Sequence, residues 1–276
     1  MPELPDLIYV RSRLEQVLVA RPVTGARLRK PVVLRCLVPG GLELLVGQPL
    51  EAIDRRLHFL VFSFATHDLL VNPMLAGRFK LAAPDARDEA SLGFALDFEG
   101  TSLRYLDDKQ MGKAYLAPSR AWGKIPGLSD TGLDVLAPGF TRDRFAAALA
   151  KRRDQVRAFL LDKSALDSLG NAYADEVLFA AGIHPKTWCR ALSPDDVTRL
   201  HGAIVGVLRE AIDEVERRGE PTEVKVRDFL KVRLKETCPR CGGPIRRAGV
   251  RGMDAYFCPR CQPATRPGFV DWTKAD

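Results

Sequence analysis

Two Cys-x-x-Cys knuckles, Cys238-Pro-Arg-Cys241 and Cys258-Pro-Arg-Cys261, stand sixteen residues apart. Four thiolates offered by two tight turns match the tetrahedral preference of zinc, and cysteine at all four positions leaves no place for a catalytic water. The pattern predicts one structural zinc ion, with iron–sulfur or redox uses as the alternatives. Gly242 and Gly243 free the backbone to turn after the first knuckle. Between the knuckles, residues 244–247 and 255–257 are expected to pair as a β-hairpin with its tip near 249–252. Arg246, Arg247, Arg251 and Arg260 offset the negative charge of a zinc–thiolate centre and suit the phosphates of a nucleic acid. A ribbon that contacts protein is the competing reading of this segment alone.

A second kind of chemistry stands at the chain start, Met1-Pro2-Glu3-Leu4-Pro5-Asp6. Removal of Met1 would leave Pro2 as a secondary amine. With an α-amino pKa near ~8, part of it is neutral at pH 7. Such an amine attacks an aldehydic carbon and forms an iminium, and Glu3 beside it is placed to act as general acid. Taken alone, the same residues also describe an ordinary chain start.

The charge distribution bears on the partner. The formal net charge is +7. From position 225 to the end, twelve Lys/Arg face five Asp/Glu, so the last fifth of the chain carries an excess equal to the whole. That is the footprint of a phosphate-binding surface, or else a solvated basic tail. No apolar run is long enough to span a bilayer, and the acidic start lacks the apolar core of a secretory signal. A monomeric cytoplasmic protein, nucleoid-associated if bacterial, is the expectation. Cys36 and Cys189 lie apart from the cluster and read as packing residues.

These groups need elements to hold them. Leu7, Val10, Leu14 and Leu18 recur at helical spacing, predicting a helix over about 6–18. Short, often alternating apolar segments at 22–29, 49–53, 59–64, 69–71, 94–98 and 102–105 predict strands of a sandwich or flattened barrel. After the turn at 136–139 the period becomes helical, over 141–161, 171–181 and 193–218, with Thr141 and Ser193 as N-caps. The fold class is α+β: an N-terminal β-sandwich domain with a flanking helix (1–135), a helical domain (136–230) and a C-terminal zinc-ribbon hairpin (231–276).

Three motifs in this order, MPELPD at the start, LDSLGNAYADEVLFAAGIHP at 166–185 and CPRC…YFCPRCQ at the end, resemble the formamidopyrimidine-DNA glycosylase/endonuclease VIII family. The resemblance spans nearly the whole chain. It implies a β-sandwich, a helix–two-turn–helix domain and a zinc finger, with damaged DNA as the partner and base-excision repair as the role. By it, Pro2 would attack C1′ of the damaged nucleotide and Glu3 would protonate the sugar ring oxygen. Strand cleavage by β- and then δ-elimination would follow. Asn171, beside Gly170, matches the residue that holds a DNA phosphate near the lesion, although it could simply cap its helix. Glu176 matches a position that in some members lies near the flipped base. Met74 matches the residue that fills the gap left by that base, with a core role as the alternative.

The match departs from the family pattern on the DNA-positioning groups. A lysine usually follows an Arg-Arg pair on an early strand, and here Arg55-Arg56 leads to His58, shorter and mostly neutral at pH 7. An arginine usually stands five residues before the third zinc cysteine, where this chain has Met253. Arg251, two positions earlier, is expected to compensate if it shares that strand face. The loop that probes the opposite base usually reads Asp-Pro-Arg-Arg-Phe-Gly; here the segment is Asp108-Lys109-Gln110-Met111-Gly112. Lys109 could still reach a base edge and Met111 could still wedge into the stack. Asp6 replaces a more common Glu. These changes leave open a catalytically weakened, damage- or structure-specific DNA binder of the same fold, and a zinc-ribbon protein of unrelated function beyond it.

Overall fold

The computed structural model describes residues 2–128, 132–167 and 169–264. Met1, whose removal the proline chemistry requires, lies outside them, as do Arg266 and Lys274 of the basic C-terminal excess. Among the described residues there are five α-helices and eleven strands. The chain divides into two compact units: residues up to 129 together with Ile212–Val226, and 130–211 together with the remainder from Arg227.

In the first unit, α1 (Leu4–Leu18) begins two residues earlier than its apolar spacing predicts. A capping box explains the early start: Asp6 accepts from the Glu3 backbone N–H at 2.7 Å, and the Glu3 carboxylate accepts from the Asp6 backbone in return. Leu7, Val10, Leu14 and Leu18 are buried as expected, and α1 packs on β3 (Leu50–Arg56). Two sheets form the sandwich. One has four strands in the order β1 (Gly25–Leu28), β7 (Leu92–Phe98), β8 (Thr101–Leu106), β6 (Arg78–Ala82). The other has five, in the order β2 (Leu34–Cys36), β9 (Lys113–Pro118), β5 (His67–Asn72), β4 (Phe59–Phe64), β3. Phe62 of β4 and Phe79 of β6 meet at 5.8 Å between ring centroids, and Phe79 meets Tyr105 at 5.6 Å, which joins the two sheets through aromatic packing.

β2, β6 and β9 are absent from the sequence expectation. β9 is covered on both faces, with Ala114, Tyr115, Leu116 and Ala117 all buried, so it carries no alternation to read. β6 mixes Arg78 and Lys80 with the buried Phe79 and the half-buried Leu81 and Ala82, and owes its strand state to β8, which it pairs from Arg78↔Leu106 to Ala82↔Ser102.

In the second unit, the expected helix over 141–161 is two helices, α2 (Arg142–Ala150) and α3 (Val156–Leu160). Arg152 causes the break: it donates to both oxygens of Asp154 (3.1 and 2.7 Å) and to Asp162 (2.6 Å). The backbone bonds of this stretch go outside any helix, Val156 N–H to Thr187 O and Cys189 N–H to Asp154 O. Thr141 caps α2 by accepting from the Arg144 N–H. Gly170 caps α4 (Asn171–Ala181), and Gly182 ends it in the left-handed conformation at φ 69°. α5 (Pro194–Arg218) starts from a reciprocal Ser193–Asp196 cap. Its last residues, from Ile212, group with the first unit.

The ribbon is a hairpin of β10 (Arg246–Val250) and β11 (Met253–Phe257), in register from Arg246↔Phe257 to Val250↔Met253. Arg251 and Gly252 form its two-residue turn, both with positive φ (50° and 76°), as a primed turn requires. Arg251 is therefore not on a strand, and the expected same-face relation to Met253 does not hold.

Candidate functional site

The helix-start geometry fixes the first pair of groups. Pro2 is buried, and Glu3 is 6% exposed and tied into the capping box. Pro2 lines a small pocket with Asp6, Tyr9, Arg78, Thr222 and Lys225. The segment that follows α5 forms one wall and is pinned at three points of the same unit. Tyr9 Oη donates to Glu220 O at 2.5 Å, Thr222 Oγ1 to Phe79 O at 2.9 Å, and Lys225 Nζ to Leu75 O at 3.4 Å. An amine at the Pro2 position would thus border a small, partly open pocket that also holds Asp6 of α1, with Glu3 next to it in the chain.

Two loops of this unit carry the residues that resemble DNA probes. Met74 lies half-buried between β5 and β6, at φ 49°, with its N–H held by Asn72 Oδ1 at 3.0 Å. Lys109 and Met111 lie exposed between β8 and β9. Their loop is organised by Asp107, which has no exposure and accepts from Lys109 N–H (3.0 Å) and Gly112 N–H (2.7 Å). Met111 is 40% exposed, so it is not a core residue. His58 is not on a strand but in the Leu57–His58 turn between β3 and β4, because Leu57 adopts φ 56°. Its ring stacks on Phe59 at 5.2 Å, and Arg55 closes the turn by donating to Leu57 O at 2.6 Å. Trp122 donates to the buried Asp68 at 2.7 Å.

The second unit gathers the remaining candidates. Asn171 is the first residue of α4, and the cap is Gly170, whose φ of −113° any residue adopts. Asn171 therefore does not cap its own helix. Its Oδ1 accepts from Arg157 Nη2 at 3.1 Å. Arg157 is fully buried and also donates to Asp175 Oδ1 (2.8 Å) and to Asp254 O on β11 (2.9 Å). Arg233 completes the group, reaching Asp175 Oδ2 at 2.8 Å. Burial drives the Asp175 pKa up while the two guanidinium groups pull it down. Glu176 points inward: its carboxylate accepts from the backbone N–H groups of Lys231, Val232 and Arg233 at 2.8–2.9 Å, and so ties α4 to the segment before the ribbon.

At the hairpin tip, Arg251 pairs with Asp154 at 3.2 Å. Lys163, Arg251 and Met253 line a hollow there together with Asp162. The four cysteines bring their sulfurs within 4.8 Å of one another, with Cys238–Cys261 at 3.8 Å and Cys241–Cys258 at 3.5 Å. Tetrahedral zinc with Zn–S bonds of about 2.3 Å needs sulfurs about 3.8 Å apart, so the donor set fits zinc. Phe179 of α4 packs against Cys238 and Cys258, and the buried Gln262 joins Cys258 N–H to Ile183 O. The metal knuckles and the Asn171 helix are thereby one packed body.

Sequence reasoning did not single out Tyr9, Arg78, Asp107 or Arg157. Arg157 stands between Val156 and Ala158 in an apolar stretch just past the basic run Lys151–Arg153, and its inward partners, Asp175 and Asp254, lie far along the chain. Asp107 had a usable signal, since a carboxylate two residues before Lys109 is the pattern of an Asx turn.

Comparison with known proteins places these units. Residues 1–114 match the model of the formamidopyrimidine-DNA glycosylase N-terminal domain, 131–220 that of the formamidopyrimidine-DNA glycosylase H2TH domain, and 235–264 that of the zinc finger found in FPG and IleRS. The chain is 36% identical to the formamidopyrimidine-DNA glycosylase of Symbiobacterium thermophilum, over 95% of this chain and 90% of the relative. It is 34% identical to that of Chloroflexus aurantiacus, over 95% and 98%. Lactococcus lactis Fpg in complex with abasic-site DNA superposes with a TM-score of 0.85 at 27% identity, over 95% of this chain and all of that one. The Lactococcus lactis protein with DNA containing Fapy-dG gives 0.84 at 27% identity, with the same coverage. With all three domain types in order and both relatives matched nearly end to end, the chain belongs to the formamidopyrimidine-DNA glycosylase family.

Proposed function

We propose that this protein is a bifunctional DNA glycosylase and abasic-site lyase of base-excision repair, acting on oxidised bases through Pro2. The observation that carries the reading is the burial of Pro2 and Glu3 in succession at the head of α1, with Pro2 lining a pocket, in a chain of this family. After loss of Met1, the neutral Pro2 amine attacks C1′ and the bond to the damaged base breaks, while Glu3 delivers a proton to the ring oxygen. The resulting iminium acidifies C2′. Loss of a C2′ proton expels the 3′ phosphate, and a second elimination expels the 5′ phosphate. Asn171 and the N-terminal N–H groups of α4 hold a phosphate beside the lesion, and the ribbon arginines hold the backbone further along. Met74, Met111 and Lys109 enter the gap and read the opposite strand. One zinc ion on Cys238, Cys241, Cys258 and Cys261 has a structural part only.

The reading is supported by the DNA-bound state of the similar Lactococcus lactis structures and by the exposure of Lys109 and Met111 on their loop. An end-labelled duplex carrying a single formamidopyrimidine tests it. Scission leaving phosphate on both sides of a one-nucleotide gap is the expected product. Intact strand, together with tight retention of the same duplex, would instead favour a silent damage binder, the reading that His58 and Met253 motivate.

A further inference from the structure

Two loops that leave different strands meet at one phenol. A Cβ on Gly77, at the end of the Met74 loop, would run into Tyr105 Oη and Pro73 O. A Cβ on Gly112, at the end of the Lys109–Met111 loop, would run into the same Tyr105 Oη and come within 2.9 Å of Asp107 Oδ2. Both glycines are therefore close approaches of backbone to one buried side chain. Tyr105 itself is fully buried, stacks on Phe94 at 5.2 Å and abuts Phe79 at 5.6 Å, so its ring cannot follow either loop. Its hydroxyl donates to Asp107 Oδ2 at 3.4 Å, and Asp107 in turn holds Lys109 and Gly112 by their N–H groups. Burial and then the charge of Asp107 push the phenol pKa far up, so it remains a donor. On the outside, Arg78 next to Gly77 pairs with Asp108 at 2.7 Å, a second link between the same two loops.

We infer that Tyr105 is a positioning residue for lesion probing: its hydroxyl, wedged against Gly77 and Gly112, sets Met74 and the Lys109–Met111 pair as a single rigid probe. The inference rests on the proposed role of those three residues at DNA. A probe held within a fraction of an ångström by its supporting residues discriminates the opposite base, whereas two independently moving loops do not.

The test uses full-length zinc-loaded protein and a duplex with a tetrahydrofuran abasic analogue opposite 2-aminopurine, whose fluorescence rises when it is unstacked. Wild type is expected to give a rise on binding. Tyr105→Phe is expected to reduce that rise about threefold and to flatten discrimination among the four opposite bases about tenfold, the scale of one lost hydrogen bond. Gly112→Ala reaches the same contact from the loop side and is expected to do the same, with melting temperature followed for both. Full fluorescence and full discrimination in either folded variant would overturn the inference, as would a wild-type protein with no fluorescence rise. The analogue cannot be cleaved, so a protein that fails the scission assay but loses its fluorescence response on Tyr105→Phe keeps the inference and loses the proposed activity.

Discussion

Arg157 Nη2 donates to Asn171 Oδ1 at 3.1 Å, and this one bond determines which way the asparagine amide faces. A guanidinium has donors and no acceptor, so the atom turned to it must be oxygen, and the Nδ2 donors are left to point away. With Arg157 fixed by Asp175 and Asp254 O, the group of half-buried Asn171 that is not turned to it is a donor, as a phosphate contact needs.

An isosteric change tests that orientation. In Asn171→Asp the inner oxygen still accepts from Arg157, while the outer atom becomes an anionic acceptor. Binding to abasic-analogue duplex is expected to weaken by roughly tenfold to a hundredfold, the value of a hydrogen bond to a charged group. The melting temperature should change little. Equal affinity in a gel shift would remove Asn171 from the phosphate site.

The ion pairs that break the α2–α3 helix predict a pH effect. The hydrogen bond from Arg152 holds the Asp154 carboxyl below its ordinary value of 3.8, against the opposing effect of burial. A depressed folded-state pKa gives stability that is full above the unfolded value and is lost as pH falls through the folded one. Asp162 is depressed too, with its hydrogen bonds from Ser164 and Arg152 outweighing burial. Urea midpoints should therefore fall steeply below about pH 4, and Asp154→Asn should flatten part of that limb while lowering stability at neutral pH by about 1–2 kcal/mol. An unaltered acid limb would show that the Arg152 pairs contribute nothing.

His58 predicts a gain. Placed in the β3–β4 turn, a lysine there would add one mobile cation to the candidate DNA face. For His58→Lys the slope of log K against log salt should steepen by about 0.9, the value for one added phosphate contact on B-DNA. Affinity should rise about threefold to fivefold, in keeping with an exposed ion pair of up to ~1 kcal/mol. An unchanged slope would mean that the turn does not meet the backbone.

Zinc removal should act through packing. Phe179, Val232, Cys238 and Cys258 form one apolar cluster, so loss of the metal loosens the end of α4 as well as the hairpin. Structural zinc contributes about 10–16 kcal/mol of apparent binding energy in small modules at neutral pH. Chelation under mild heating is expected to release one zinc per chain, expose the four thiols to a thiol reagent and abolish retention of lesion DNA. Release of metal with DNA binding intact would separate the ribbon from recognition.

How much was legible in the sequence depended on whether a feature is local. The cysteine knuckles, the Ser193 and Thr141 caps and the α1 stripe are written within a few residues of where they act, and each forms as the spacing dictates. The hairpin tip falls where expected, but the Arg251–Asp154 pair across 97 residues was not legible, nor was the two-helix break, whose far side is held from a distance by Val156 N–H donating to Thr187 O. β9 was hidden by burial on both faces. Arg157 and Tyr105 were hidden for the same reason, since a side chain that organises others from inside leaves no periodic mark. His58 and Met253 were visible as departures from a pattern, but not that a turn and a hairpin start hold them.

The central claim is covalent attack by Pro2, and borohydride trapping on an abasic-site duplex tests it most directly. Protein shown by mass spectrometry to start at Pro2 should give a reduced protein–DNA adduct whose cross-linked peptide maps to the N-terminus. Pro2→Gly should lower the yield by orders of magnitude while still retaining the duplex in a gel shift. No adduct from the processed, zinc-loaded protein, or an adduct of equal yield from Pro2→Gly, would contradict the account.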